Sequence, residues 1–350
     1  MKIRLELQDL AHYPFLKEAQ EVIAARGYSL RAITGNPENR IYLDAAVDRI
    51  RDAAQSKKGR AWTDSDDPFL DILSYGLARI LVSCIKNRQG ITTLARYEAE
   101  RAFYFLQTIE KNDALRLHIF RELDMPLLGD SMSYTRYIEI TQTLREDTFR
   151  LVNRDLSQGQ VFLSEEEKDL LLRERIRTLL LDQLPLDLPE SVCDNLSEHL
   201  QVVQSIIAER TVEEYGDVEE SRFPPCIHAL YEAAVTGKYL THSGRFALTT
   251  FLHTIGMDVT EIISTFSQGS DFNIEVTSYQ VNHIISQGTD GYTTPSCATM
   301  MTHGICFGKN AKCKLISHPL SYYRKEKKQN KKSASNNNSP RQNNEEKEKI

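Results

Sequence analysis

Residues 70–86, LDILSYGLARILVSCIK, place apolar side chains three and four positions apart along the whole stretch. An α-helix turns once every 3.6 residues, so this spacing gathers them on helical faces. YLDAAVDRIRDAAQ (42–55) and ARYEAERAFYFLQTIEK (95–111) repeat the pattern, and the three runs contain one glycine and no proline. Together they predict a helix bundle over residues 1 to about 125.

Working outward, the opening MKIRLELQDLAHYPF (1–15) interleaves charged and apolar residues, unlike a signal peptide. No continuous apolar run approaches the roughly 18 residues of a membrane span. The expectation is a soluble, intracellular (cytoplasmic) protein with no membrane partner. Toward the C-terminus the period changes. YIEI (137–140) and FRLVNRDLSQGQVFL (149–163) alternate as strands do, with DLSQG (155–159) as a hairpin turn, so a small α/β insert is expected at about 133–165. Helical spacing returns in SEEEKDLLLRERIRTLLLDQL (164–184), where Ser164 and Glu167 make a capping-box pattern, and continues to about 210.

The acidic stretch ERTVEEYGDVEES (209–221) then reads as a domain seam, with a linker at 211–222. From Phe223 to Arg324 the apolar runs shorten, and His, Gly and Cys become frequent. Eight Lys or Arg stand against six Asp or Glu over 221–325, a mildly basic segment in a 350-residue chain of net charge −6. The overall charge argues against a sheath-like nucleic-acid coat but leaves room for a local basic site. Residues 325–350 are too polar to bury a core and are expected to be a disordered tail. The fold expected is mainly α: a helical domain (1–210) carrying the small α/β insert, then a compact helical domain (223–324).

No P-loop, G-x-G-x-x-G or H-E-x-x-H motif occurs. Two-metal nucleotidyl transfer needs paired carboxylates, and the best spacing is Asp64, Asp66 and Asp67 in WTDSDDPF (62–69). These lead into a helical run and are better read as caps than as catalytic groups. No catalytic residue is expected.

Six cysteines are too few for a disulfide scaffold, and a cytosolic compartment would keep them reduced. Cys84 and Cys193 suit the role of core residues. Cys226, Cys297, Cys306 and Cys313 cluster late, three of them among Pro, Gly, Ser and Lys. None belongs to the C-x-x-C knuckle usual in zinc sites. Four single cysteines from separate elements suit the spread corners of a [4Fe–4S] cube. Four unrelated core cysteines, or a zinc scaffold, remain the alternatives at this point.

FPPC (223–226), THSGRFALTTFLHTIGM (241–257), TTPSCATM (293–300), GIC (304–306) and HPLSYYR (318–324) resemble the C-terminal domain of the archaeal and eukaryotic DNA primase large subunit, in that family's order. The resemblance implies that the four late cysteines bind one [4Fe–4S] cluster. It further implies a grip on the template–primer junction (template DNA and RNA primer) and on the initiating nucleotide. The N-terminal domain would dock the small catalytic subunit, forming a heterodimer in which this chain is the non-catalytic partner.

In HSGRFALTTFLHTIG (242–256), Leu248, Phe251, Leu252 and Ile255 form a core stripe, and Gly256 is a natural stop. Ser243 is the expected N-cap, which places Arg245 in the first turn, against the helix dipole. A phosphate at that helix end would account for the cation, as would an Arg swung to solvent or paired with a carboxylate. The resemblance favours phosphate, shared with His242. Where the related motif often carries a second Arg, this chain has Thr241. In EVTSYQVNHIIS (275–286) and the preceding Ile274, a buried face is expected from Ile274, Val281, Ile284 and Ile285. Tyr279 and His283, four apart on another face, are the candidate base- and phosphate-contacting pair. The family often has a second Tyr at the position of Thr277. His228, His253, His303 and His318 are expected to pack or cap.

Overall fold

Three helices, α1 (Arg40–Gln55), α2 (Pro68–Ile85) and α3 (Arg88–Leu106), frame the N-terminal half of the computed structural model. It describes residues 4–336 apart from 36, 57–58, 110–113, 126, 128, 145, 270–271 and 287–291. The chain is mainly α and divides into two compact units, Met1–Ile207 and Ala208–Ile350. Helix α2 starts where Asp67 accepts the Leu70 N–H at 3.0 Å and ends at Lys86 in the left-handed region (φ 54°). Asp67 is thus a cap, and Asp64 holds the His12 ring at 2.9 Å.

Helix α2 packs on two sides. Ile72 and Tyr75 join a cluster with Ala99, Phe105 and Met132, while Leu73, Leu77 and Leu81 join a second with Val47 and Val203. This double burial explains an 18-residue helix long and apolar enough to cross a membrane, which the sequence reading did not anticipate. Its one early acid, Asp71, belongs to a buried charge network. The Arg49 guanidinium donates to both Glu98 oxygens at 2.7 Å and to Asp71 at 2.5 Å, and Arg101 donates to Asp71 and the Ala11 carbonyl. Each buried charge is paired, which is what makes its burial tolerable.

The insert is three-stranded and antiparallel, in the order β1 (Ser131–Ser133), β3 (Gln160–Phe162), β2 (Leu156–Ser157). Gln158 and Gly159 turn the β2–β3 hairpin, both at positive φ, as the DLSQG reading required. YIEI does not form the expected strand. Ser133 caps α4 (Tyr134–Thr141), whose Tyr137, Ile140 and Thr141 are buried at helical spacing while Tyr134 and Ile138 stay exposed. Nor is 149–153 extended; it forms short 3₁₀ turns. The capping box at Ser164 is present and starts α5 (Glu165–Gln183).

Cys84 and Cys193 are not separate reduced core residues, as expected; they are joined as a disulfide across 109 residues, with Cα atoms 5.5 Å apart. The Leu186 N–H bonds Ser83 Oγ at 2.9 Å and Arg79 bonds Gln183 at 2.8 Å, which folds the later segment back onto the end of α2.

The acidic stretch is not an irregular linker. Helix α6 (Ser197–Tyr215) runs through much of it, and Glu220–Arg222 is a 3₁₀ turn. Arg222 accounts for this order: its buried guanidinium bonds the carbonyls of Tyr215 and Asp217, and lies 4.6 Å over the Tyr323 ring. Nor is the chain after Arg324 wholly disordered, since α12 (Pro319–Asn336) continues through it. Lys327 explains part of that extension by donating to the Val212 and Glu213 carbonyls near the end of α6. Residues 337–350 lie outside the described residues.

Between these, α7 (Pro225–Val235), α8 (His242–Thr254), α9 (Val259–Thr265), α10 (Ile274–Ser286) and α11 (Cys297–Thr302) close around Ile227, Leu248, Phe251, Leu252, Met300 and Tyr323. Helix α8 stops as expected at Gly256 (φ 97°): the Met257 N–H reaches the Leu252 carbonyl and the Gly256 N–H the His253 carbonyl.

Candidate functional site

Cys226 sits in the first turn of α7 and is buried at the edge of the second unit's core. Cys297 opens α11 behind the cap Ser296, and its N–H reaches the Ser317 carbonyl at 3.0 Å. Gly304, at positive φ, ends α11, and Ile305 enters the core, which fixes the half-buried Cys306 beside it. Cys313 lies in the 3₁₀ turn Ala311–Leu315, capped by Asn310, whose amide bonds the Tyr322 hydroxyl. The Cys306–Cys313 loop folds back on α7. A Cβ on Gly308 (φ 63°) would stand 3.3 Å from the Pro225 Cβ, so this loop rests against the residue preceding Cys226.

Cys297, Cys306 and Cys313 each lie near enough to Cys226 to act on its thiol. Burial, then the neighbouring Cys306, and more weakly Cys297 and Cys313, push the Cys226 thiol up to about 12. Cys297 is raised by burial and by Cys306 and Cys313, against the pull of Lys309. All four are free. Thr294, at the start of the TTPSC segment, is buried with its hydroxyl oxygen unpartnered. Among the described residues no three His, Cys, Asp or Glu side chains are spaced for a single metal ion. A tetrahedral zinc with bonds of about 2.3 Å draws its sulfurs to within about 4 Å of one another, whereas a cube carries its ligands on separate iron corners. Four single thiols carried on separate elements suit the separate corners of a cube.

Helix α8 begins two residues earlier than the sequence predicts. Thr241, not Ser243, is the cap, accepting the Gly244 N–H at 3.1 Å, so Arg245 moves toward the end of the first turn. Gly244 packs closely at that turn: a Cβ there would stand 3.1 Å from Leu230 on α7. Helix geometry leaves the N–H groups of His242 and Ser243 with no carbonyl in a preceding turn. His242 is exposed, and the half-buried Arg245 lies with its guanidinium 5.9 Å from the Phe266 ring.

Tyr279 is exposed on α10, and its ring stacks on His283 at 5.8 Å and 18°. Val281 is buried and Ile284 and Ile285 half-buried as expected, but Ile274 is exposed, being the first residue of the helix. Thr277 faces inward and is buried. His318 caps α12 as expected, taking the Leu320 N–H while its other nitrogen meets the Thr294 carbonyl. His253 is mostly buried, and burial lowers its pKa. Two aromatics the sequence reading missed join this face. Tyr292 lies 6.3 Å from His283 and makes an edge-to-face contact with Phe246 at 5.0 Å. An exposed Tyr among turn-forming residues, just before TTPSC, was the available signal.

The arrangement defines a two-unit helical protein whose second unit carries four free cysteines and a helix with a cation in its first turns. The family model for the C-terminal domain of the eukaryotic and archaeal DNA primase large subunit matches residues 216–339. The DNA primase large subunit PriL of Methanosarcina mazei is 31% identical over 333 residues, covering 92% of this chain and 89% of that protein. That of Methanococcoides burtonii is 32% identical over 338 residues (92% and 93%), and that of Halobacterium salinarum 32% over 345 (89% and 92%). The chain belongs to the DNA primase large subunit family.

Proposed function

We propose that this chain is the cluster-bearing, non-catalytic subunit of an intracellular heterodimeric primase, binding template–primer and initiating nucleotide for a separate catalytic subunit. The observation that supports this reading is the return of the Cys306–Cys313 loop to Pro225, the residue before Cys226 on α7, with all four late cysteines free. The four thiols would hold one [4Fe–4S] cluster, whose chemistry here is to cross-link α7, α11 and the turn before α12. His242 and Arg245 would bind phosphate at the α8 N-terminus, where open N–H groups and a guanidinium act together. Tyr279 and His283 would contact base and phosphate or sugar. The first unit would dock the catalytic subunit. Supporting the absence of polymerase chemistry here, the best-spaced acids have structural work: Asp67 caps α2 and Asp64 orients His12.

The test is initiation against elongation in the heterodimer. The first nucleotide has no primer stacking to hold it, so initiation is the step most exposed to loss of the phosphate grip. Removing a charge-assisted bond costs about 1.5–3 kcal/mol, roughly ten- to a hundredfold in apparent affinity. Arg245→Ala is expected to depress dinucleotide formation by that factor while extension of a ready-made primer, iron content and partner binding stay near wild type. Arg210→Ala, away from the site, serves as control. Equal initiation by Arg245→Ala at limiting nucleotide would contradict the assignment.

A further inference from the structure

We infer that Tyr292 is a second base-stacking ring, which with Tyr279 makes a platform for two successive unpaired bases of a single strand. The inference rests on the nucleic-acid reading of the α8 end and deepens it. Four rings run together across this face. Tyr279 and His283 lie nearly parallel at 5.8 Å, His283 and Tyr292 follow at 6.3 Å and 52°, and Phe246 meets Tyr292 edge-on at 5.0 Å and 84°. Tyr279 is 70% exposed and Tyr292 48%. Packing that merely buried an aromatic would hide its faces; here both tyrosines keep much of their surface open, while the edge contact with Phe246 limits how Tyr292 can swing.

The chemistry of the neighbourhood says what covers those faces. Phe246 directly follows Arg245, so the ring that braces Tyr292 belongs to the same helical turn as the cation. A cation one residue from the ring that braces these aromatic faces matches a strand that offers phosphates and flat bases in alternation. Thr277 is buried, so Tyr279 is the tyrosine that α10 presents to this side, stacked on His283; the second tyrosine ring comes instead from the segment leading into Cys297. Any base has a π-face, so the platform would be tolerant of sequence, as a protein that starts primers on arbitrary templates requires.

The experiment uses the full-length chain and a dye-labelled single-stranded thymidine oligonucleotide, read by fluorescence anisotropy. Losing one stacked base contact is expected to weaken binding roughly tenfold, with Tyr292→Phe within about twofold of wild type. Tyr292→Leu keeps apolar bulk against Phe246 but lacks the ring, so it should fall with Tyr292→Ala. Because no phosphate contact is removed, the salt slope should not change, whereas Arg245→Ala should flatten it. An oligonucleotide with abasic sites in place of thymidines should penalise wild type more than Tyr292→Ala. If Tyr292→Leu binds as wild type while Arg245→Ala weakens with a flatter salt slope, the platform is overturned and the phosphate reading stands. If neither variant weakens binding, both fall.

Discussion

The two units solve the same problem, holding helices together, with different chemistry. The first buries long helices on two apolar clusters, threads a charge network between them and joins Cys84 to Cys193. The second packs most of its helices on one cluster and carries four free cysteines, of which Cys226 and Cys306 touch that cluster. A small core with four free thiols suits a metal-dependent fold, because binding energy there becomes folding energy. Perturbations should therefore sort by unit.

The largest expected effect is on the second unit. Cys306→Ser should lose iron and with it folding energy on the order of 10 kcal/mol, the scale of structural metal sites. In the full chain this should show up as early loss of the second unit's transition, with the first unit's unchanged. Retained iron and an unaltered melt would break the contrast. Next comes the charge network. Asp71→Asn weakens the compensation of both Arg49 and Arg101 and is expected to cost about 3–5 kcal/mol by urea unfolding, with iron content intact. The disulfide follows: reduction, or Cys84→Ser with Cys193→Ser, should remove about 2–4 kcal/mol from the first unit alone. Intact mass after thiol alkylation without reductant should show Cys84 and Cys193 protected. The smallest effect is Thr241→Ala, which removes the α8 cap for about 1 kcal/mol. It sharpens the comparison because it should lower the second unit's melt while the cysteines still bind iron.

Long periodic runs were readable because each residue's environment repeats with the helix. Residues 70–86 needed no tertiary information beyond the existence of a core. The misreadings share a cause, contacts distant in sequence. YIEI is rich in strand-favouring residues, yet Ser133 caps it and the insert buries Tyr137 and Ile140 on one helical face. The acidic seam and the polar tail look unstructured locally, but Arg222 reaches Tyr323 and Lys327 reaches the end of α6, from 101 and about 115 residues away. Cys84 and Cys193 gave no local sign of pairing. At the candidate site, the four late cysteines stood out because they sit outside apolar runs, whereas Tyr292 acquires meaning only when α10 sets His283 beside it. The cap falls on Thr241 and not Ser243, and Gly244 beside it packs against Leu230 on another helix, a contact no local pattern announces.

The most direct test of the central claim is the iron and acid-labile sulfide content of the full-length chain purified without oxygen. The account predicts about four of each per chain, lost together in Cys226→Ser and kept in Cys84→Ser. One zinc per chain with no sulfide, or iron that survives Cys226→Ser, would contradict it.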